Sequence, residues 1–343
     1  MRVPITLDLH LPNFNFPGVG ADAEFEKIVA IAESAEQSGF SSISVMDHLH
    51  QIPAIGPPGN YMFDGNMILA GIAARTSKLT LGTLVGAVTY RNPALLAKIT
   101  TTLDVISGGR AWLGLGAAWF EGEHEAYGFD FPPLGRRFEY LEESLQITRA
   151  MFTQEQASFE GEHFRVRGAY NNPKPIRGDI PILVGGSGER KTLRLVAQYA
   201  DGCNLFAADP ERARHLLGVL EGHCERVGRD PAEITKTAMG SYMIADTKEA
   251  AEAKMRGLVE QGLMLPRRAE MTMAADPDTI GEHVSSLKEA GIEGMTTAIP
   301  DVWDPESVAR YGQVLGGVFN ASSAAPLGAV ASAGVRDPRL RDT

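Results

Sequence analysis

Residues 181–206, PILVGGSGERKTLRLVAQYADGCNLF, constrain the fold more than any other stretch of the chain. The segment 181–184 is short and continuously apolar, the pattern of a parallel strand covered on both faces. Leu193, Val196, Ala197 and Ala200 then fall at i, i+3, i+4 and i+7, the stripe of a helix packed on one side. A second apolar run, 203–206, follows. The order is therefore strand, glycine turn, helix, strand, the repeating step of an α/β fold.

The same step recurs along the chain. Strand patterns occur at residues 5–11, 42–46, 78–85, 111–115, 181–184, 203–206, 234–244 and 295–299. Helical stripes separate them, among them Phe25, Ile28, Val29, Ala32 and Ala35 after the first strand and Phe138, Leu141, Leu145, Thr148 and Phe152 after the fourth. Eight strands, each followed by at least one helix, are the number that closes a (β/α)8 TIM barrel, and 343 residues suit that fold with insertions. One insertion is legible. Residues 157–166, ASFEGEHFRV, read as a small hairpin turning at Gly161, placed after the fourth βα unit. Residues 1–319 are thus expected to form one barrel domain, and the Ala-, Ser- and Gly-rich residues 320–343 a disordered tail. Residues 49–65 and 116–135 read as long loops, and loops of that length inside a compact domain usually serve a function. Residues 49–65 and 264–275 are expected to shape a substrate pocket.

A net charge of -11 argues against nucleic acid or an anionic membrane as partner. No apolar run reaches the length of a membrane span, and the N-terminus enters a strand without a signal-peptide core. Cys203 and Cys224 have neither a disulfide framework nor metal-ligand spacing. The expectation is a cytoplasmic protein with a small-molecule substrate and no metal.

In such a barrel the site lies at the C-terminal ends of the strands, where four segments carry chemistry. Asp47-His48 closes the second strand; a histidine beside a carboxylate suits a general acid or base, and equally a loop histidine bonded to backbone. GTLVGAVTYRNP, residues 82–93, puts Gly82 and Gly86 near a strand end, where a ligand approaches closely or a barrel corner bulges. GLGAAWFEGE, residues 114–123, imitates a dinucleotide fingerprint, but Trp119 stands in place of the third glycine and excludes that reading. Trp119 and Phe120 suit the wall of a planar ring, or a packed core. The Gly185-Gly-Ser-Gly188 turn heads a helix beside Arg190, Lys191 and Arg194, which suits a phosphate, or a tight turn with solvated cations.

Taken in order, Asp47-His48, residues 82–93, GLGAAWFEGEHEAYG (114–128), RRFEYLEESLQI (136–147) and GGSGERKTLRLVAQYAD (185–201) resemble the luciferase-like monooxygenases, over residues 5–318. The resemblance implies a barrel that binds reduced FMN or the deazaflavin coenzyme F420. It implies a flavin phosphate on Gly185, Gly186 and Ser187, a non-prolyl cis peptide at Leu84-Val85 behind the ring, and Asp47, Ala117, Ala118 and Trp119 beside the cofactor. His48 is implied as the catalytic residue, stabilising or accepting the proton lost when substrate gives up hydride. Sugar-phosphate dehydrogenases of the family carry a catalytic glutamate after the strand-four glycines. This chain has Trp119 there, and Glu121 and Glu123 are weakly placed to replace it. The motif wording is nearer the F420-dependent branch, implying an oxidoreductase that moves hydride between F420 and a small organic substrate. An FMNH2-dependent monooxygenase served by a separate flavin reductase is the alternative, and a non-catalytic flavin-binding protein a third. A flavin or F420 reductase as redox supplier, and a homodimer, complete the implied partners.

Overall fold

The computed structural model describes residues 1–207 and 209–320; residues 321–343, nearly all of the expected tail, lie outside the described residues. β1 (Leu7–Leu11) leads into α1 (Glu24–Gln37), β2 (Ser42–Val45) into α2 (Gly65–Arg75), and β3 (Thr80–Thr83) with β4 (Gly86–Ala87) into α3 (Pro93–Ser107). β5 (Leu113–Gly116) precedes α4 (Glu121–Tyr127), α5 (Leu134–Thr153) and a hairpin of β6 (Gln156–Glu160) and β7 (Arg165–Tyr170). β8 (Ile182–Gly185), α6 (Thr192–Tyr199), β9 (Gly202–Leu205) and α7 (Pro210–Val227) follow. β10 (Thr235–Gly240), β11 (Tyr242–Ile244), α8 (Lys248–Glu260), α9 (Pro266–Glu270) and β12 (Met273–Ala275) lead to α10 (Pro277–Glu289), β13 (Gly294–Thr297) and α11 (Pro305–Phe319). Many helix ends are set by local chemistry. Asp64 and Asn92 accept the first free N-H groups of α2 and α3, while Gly108 and Gly228 close α3 and α7 in the left-handed conformation.

Every pairing in the main sheet is parallel, in the order β3-β2-β1-β13-β10-β9-β8-β5-β4. β3 and β4 are two halves of one barrel strand: the first pairs with β2, the second with β5. Leu81 N-H donates to Arg110 O at 3.0 Å and Trp112 N-H to Leu81 O at 2.9 Å, which closes the ring. The architecture is the expected (β/α)8 barrel.

A barrel strand is covered on both faces, so β1 is buried at all five positions although its sequence alternates. Leu7, Leu9, Leu11, Ile43 and Val45 belong to the large core shared with the helices. A second, separate cluster holds Val3, Ile5, Leu84, Trp112 and Leu183. Between strands lies a polar layer, in which Ser44 Oγ donates to Asp8 Oδ2 at 2.6 Å and Asn204 Nδ2 donates to Thr237 Oγ1 at 2.9 Å and Thr296 Oγ1 at 3.1 Å. What presses on Gly82 is part of this interior. A Cβ there would sit 2.4 Å from the Trp112 ring, so the close approach is an indole from the neighbouring strand, not a ligand.

Five segments depart from the sequence expectation. The seventh strand is broken: β10 ends at Gly240, where a Cβ would lie 2.4 Å from the Tyr242 hydroxyl and 2.5 Å from its ring, and β11 pairs instead with β12 outside the barrel. The hairpin runs on to Tyr170, because Gly168 interrupts the alternation with φ +56° without ending the strand. Residues 116–135, expected as loop, contain α4, and residues 264–275 contain α9 and β12. Asn320, where the expected tail starts, accepts from Thr6 Oγ1 at 2.7 Å and donates to Gly39 O at 2.8 Å. Among the described residues, no helix is long and apolar enough to cross a membrane.

Candidate active site

A cavity of about 780 Å³ opens at the C-terminal ends of the strands and takes lining residues from all eight barrel positions. His10 follows from β1, Met46 to His48 from β2, Leu84 to Ala87 from the broken third strand, and Gly116 to Trp119 from β5. Gly185 and Gly186, Phe206, Met239 and Ala298 complete the circle. A groove of about 830 Å³ between α10 and α11 involves no strand end and holds no comparable set of chemistry-bearing groups.

Behind the cavity-lining His48 and Tyr90 lies Glu123, on α4, fully buried and not itself a lining residue. Its carboxylate accepts from His48 Nδ1 at 2.8 Å, from His50 N-H at 3.1 Å, from Leu49 N-H and from the Tyr90 hydroxyl. These are four donors on one carboxylate, which satisfies it. Burial pushes the Glu123 carboxyl up, but the hydrogen bonds from His48 and Tyr90, the His48 charge and the Leu49 N-H outweigh it and hold it down at about 2. Burial, reinforced by Glu123, pushes the Tyr90 hydroxyl well above its usual range. An ionised acceptor on Nδ1 fixes the His48 tautomer with hydrogen on that nitrogen, leaving Nε2 able to accept a proton.

Asp47 is bound differently. Arg91 Nη1 donates to both its oxygens, at 2.9 and 2.7 Å, while Arg91 Nη2 donates to Asp64 Oδ2 at 2.6 Å. Burial pushes Asp47 up to about 6 in spite of Arg91. The pair ties the end of β2 to the α2 N-terminus, since Asp64 also caps that helix. Deeper in the barrel, His10 Nδ1 lies 2.9 Å from Ser44 Oγ. The Ser44 proton is committed to Asp8, so His10 Nδ1 is the donor. Burial, with the charges of Arg268 and His48, holds His10 down at about 3, and it is therefore neutral.

His48, Asp47, Leu84, Val85, Ala117, Ala118, Trp119, Gly185 and Gly186 all line the cavity. The Leu84-Val85 peptide bond is cis. Ala118 has φ +60°, a conformation that non-glycine residues seldom adopt outside functional segments. Trp119 is 58% exposed, stacks on Phe120 with ring centroids 5.2 Å apart, and meets the His48 ring edge-on at 5.6 Å. Ser187 is not among the lining residues; its hydroxyl accepts from Phe206 N-H at 2.8 Å. Of the three cations after the glycine turn, Arg194 donates to Glu142 at 2.8 Å and Lys191 lies 5.3 Å from the Phe138 ring. Gly185 has a packing reason as well: a Cβ there would meet Val85 at 2.9 Å.

Glu123, weakly placed by sequence, is the largest correction. The residue 114–128 segment is a helix from Glu121 onward, and that helix turns Glu123 and His124 inward to full burial. The signal was present, since Phe120, Glu123, His124 and Tyr127 fall at i, i+3, i+4 and i+7 before a C-capping Gly128. Tyr90 and Arg91 lay inside a quoted motif without an assigned role, Arg268 lay in residues 264–275, expected to shape the pocket but with no residue singled out, and His10 carried no sequence signal of a site.

Fold and cavity together define a (β/α)8 barrel with one deep, largely apolar site at its strand C-termini. The luciferase-like monooxygenase family description matches residues 5–328, and the chain belongs to that family. An uncharacterized protein of Mycobacterium tuberculosis is 36% identical over 186 residues, 50% of this chain and 65% of the relative. Pyrimidine monooxygenase RutA of Stutzerimonas stutzeri is 31% identical over 244 residues, 67% of this chain and 64% of the relative. The F420-dependent hydroxymycolic acid dehydrogenase of Mycobacterium tuberculosis is 31% identical over 261 residues, 74% of this chain and 69% of the relative. These matches span about two thirds of the relatives' own length. An F420-dependent secondary alcohol dehydrogenase, solved with an F420-acetone adduct, shares the fold, with a TM-score of 0.75 over 93% of this chain and 99% of that one at 19% identity. Family members thus include both F420-dependent dehydrogenases and monooxygenases.

Proposed function

We propose that this protein is an oxidoreductase transferring hydride between coenzyme F420 and a small organic substrate, with His48 handling the accompanying proton. The observation that carries the reading is the His48–Glu123 pair at the cavity wall, a histidine with one nitrogen held by a buried carboxylate at 2.8 Å. The cavity fits a tricyclic ring: its volume is that of a cofactor site and its walls are mostly apolar. Leu84, Val85, Ala117, Ala118 and Trp119 would hold the ring, with Asp47 anchoring the adjoining strand end through Arg91. Gly185, Gly186 and Ser187 would hold the phosphate. When bound, the deazaflavin supplies a hydride acceptor or donor at C5.

The chain's own residues then manage the proton. In the oxidative direction a substrate hydroxyl would give its proton to His48 Nε2 while the carbon that bears that hydroxyl would lose hydride to C5 of the deazaflavin, the C–O bond becoming a carbonyl. The Glu123 carboxylate stabilises the imidazolium that forms, and its fixed hydrogen bond keeps the ring turned for the transfer. Trp119, stacked on Phe120 and edge-on to His48, would cover one side of the bound ring. The second reading, an FMN-dependent monooxygenase supplied by a separate reductase, is favoured by the likeness to RutA.

The test is parallel titration of the purified protein with oxidised F420 and FMN, read by tryptophan fluorescence, with Trp119→Phe assigning the signal. Tighter binding of F420 is expected, and turnover in a screen of alcohols. Tighter binding of FMN transfers the assignment to the monooxygenase reading.

A further inference from the structure

We propose that Arg268 is the anion-recognition residue of the substrate pocket, so that the substrate is an organic acid whose carboxylate meets this guanidinium while its apolar body fills the cavity. The proposal rests on reading the cavity as a substrate site. Arg268, on α9, borders the cavity and is only 7% exposed. Among the described residues its side chain makes no hydrogen bond, and Nη2 is buried with no partner there.

A guanidinium taken out of water without a hydrogen-bonded counter-ion is costly, and native interiors leave such groups chiefly where something else completes them. The surrounding charges do not complete this one. Asp301 acts on Arg268 through space, but its Oδ2 is engaged by Lys254 Nζ and by Ser307 Oγ at 2.5 Å, and its Oδ1 makes no hydrogen bond among the described residues. One carboxylate thus faces two cations. The Tyr311 hydroxyl, the other group acting on Arg268, donates to Tyr242 O. His10, across the cavity wall, is neutral and adds no negative charge.

The chemistry of the missing partner follows from geometry. A planar guanidinium with free N-H groups matches a carboxylate, which it binds through two parallel hydrogen bonds. The cavity that Arg268 borders is also lined by Ile55, Met239, Met271 and Met273, an apolar surface for the body of the acid. Arg268 reaches the cavity from α9 and the glycine turn read as the phosphate site from the end of β8, so the two line one cavity from different elements.

Isothermal titration of the full chain with cyclohexanecarboxylate and its neutral counterpart cyclohexylmethanol, with and without FMN or F420, tests this without any variant. The acid is expected to bind at least about tenfold tighter, a difference of about 1.4 kcal/mol. Arg268→Met should abolish that preference while leaving FMN and F420 affinity unchanged, and Arg268→Lys should restore part of it. Equal affinity for acid and alcohol in the wild-type protein, or no uptake of the acid, overturns the proposal. So does an Arg268→Met variant that has lost cofactor affinity, because Arg268 would then serve the cofactor's own anion. Failure of the cofactor reading is separable, since it leaves the acid-versus-alcohol comparison intact.

Discussion

Two buried carboxylates, Glu123 and Asp8, are driven in opposite directions by their surroundings. Glu123, held at about 2 against an ordinary 4.5, stabilises the folded protein above pH 4.5, and that contribution is lost as pH falls toward 2. Glu123→Gln turns an amide N-H₂ toward donors that had an acceptor, and should cost roughly 1–3 kcal/mol near neutral pH. In urea unfolding, the gap between wild type and variant should narrow below pH 4.5; a gap independent of pH contradicts the assignment. Asp8 behaves in reverse. Burial pushes it up from 3.8 to about 6, so its contribution is fully present below 3.8 and lost as pH rises through 6. Its Oδ1 accepts no hydrogen bond among the described residues. Asp8→Asn keeps an acceptor for Ser44 and removes the buried charge, so it should raise stability by roughly 1–3 kcal/mol above pH 6 and little below pH 4. Thermal melts at the two ends of that range decide it. Neither carboxylate was legible as a special group in the sequence. Glu123 sat in a segment whose glycines suggest loop, and Asp8 sat in a strand whose alternation says nothing about which face closes into a barrel.

At the scale of elements, the meeting of three strands around Val85 controls how tightly the barrel closes. A Cβ on Gly116 would lie 2.7 Å from Val85 Cγ2, and one on Gly185 would lie 2.9 Å from Cγ1. The ends of β5 and β8 therefore carry glycine because the third strand sends a branched side chain between them. Gly185→Ala should destabilise by roughly 1–3 kcal/mol through overpacking. Val85→Ala should relieve it, because the added methyl would then face only the Val85 Cβ at 3.6 Å. A double-mutant cycle in urea measures the coupling, and strictly additive effects would argue against this origin. The glycines themselves were plain in the sequence. Their reason was not, because the partner that demands them lies about thirty and a hundred residues away in the chain and only the closed sheet brings it near. The strand count, in contrast, was readable throughout, since apolar runs and helical stripes are local patterns. The break after β10 escaped notice for the opposite cause: residues 234–244 keep their apolar character across a change of partner strand.

For the whole molecule, the barrel keeps fold and site on different parts of each strand. The cluster of Val3, Ile5, Trp112 and Leu183 fills one part of the interior, and the polar layer with His10 and Asn204 adjoins the cavity. The position of the cavity was therefore legible from the order of elements, together with part of its lining. Residues 264–275 were legible as a segment of the pocket, but not Arg268 in particular, because it arrives on a short helix outside the repeating βα step.

The Glu123 carboxylate binds the amides of Leu49 and His50 as well as His48, so it fastens the segment after β2 to α4. These two parts of the rim cannot part without stranding a buried anion, and they should breathe as a single unit. In deuterium exchange, the Leu49 and His50 amides should take up label in step with α4. Earlier labelling of either side alone would mean that the mouth of the cavity opens on one hinge instead of two.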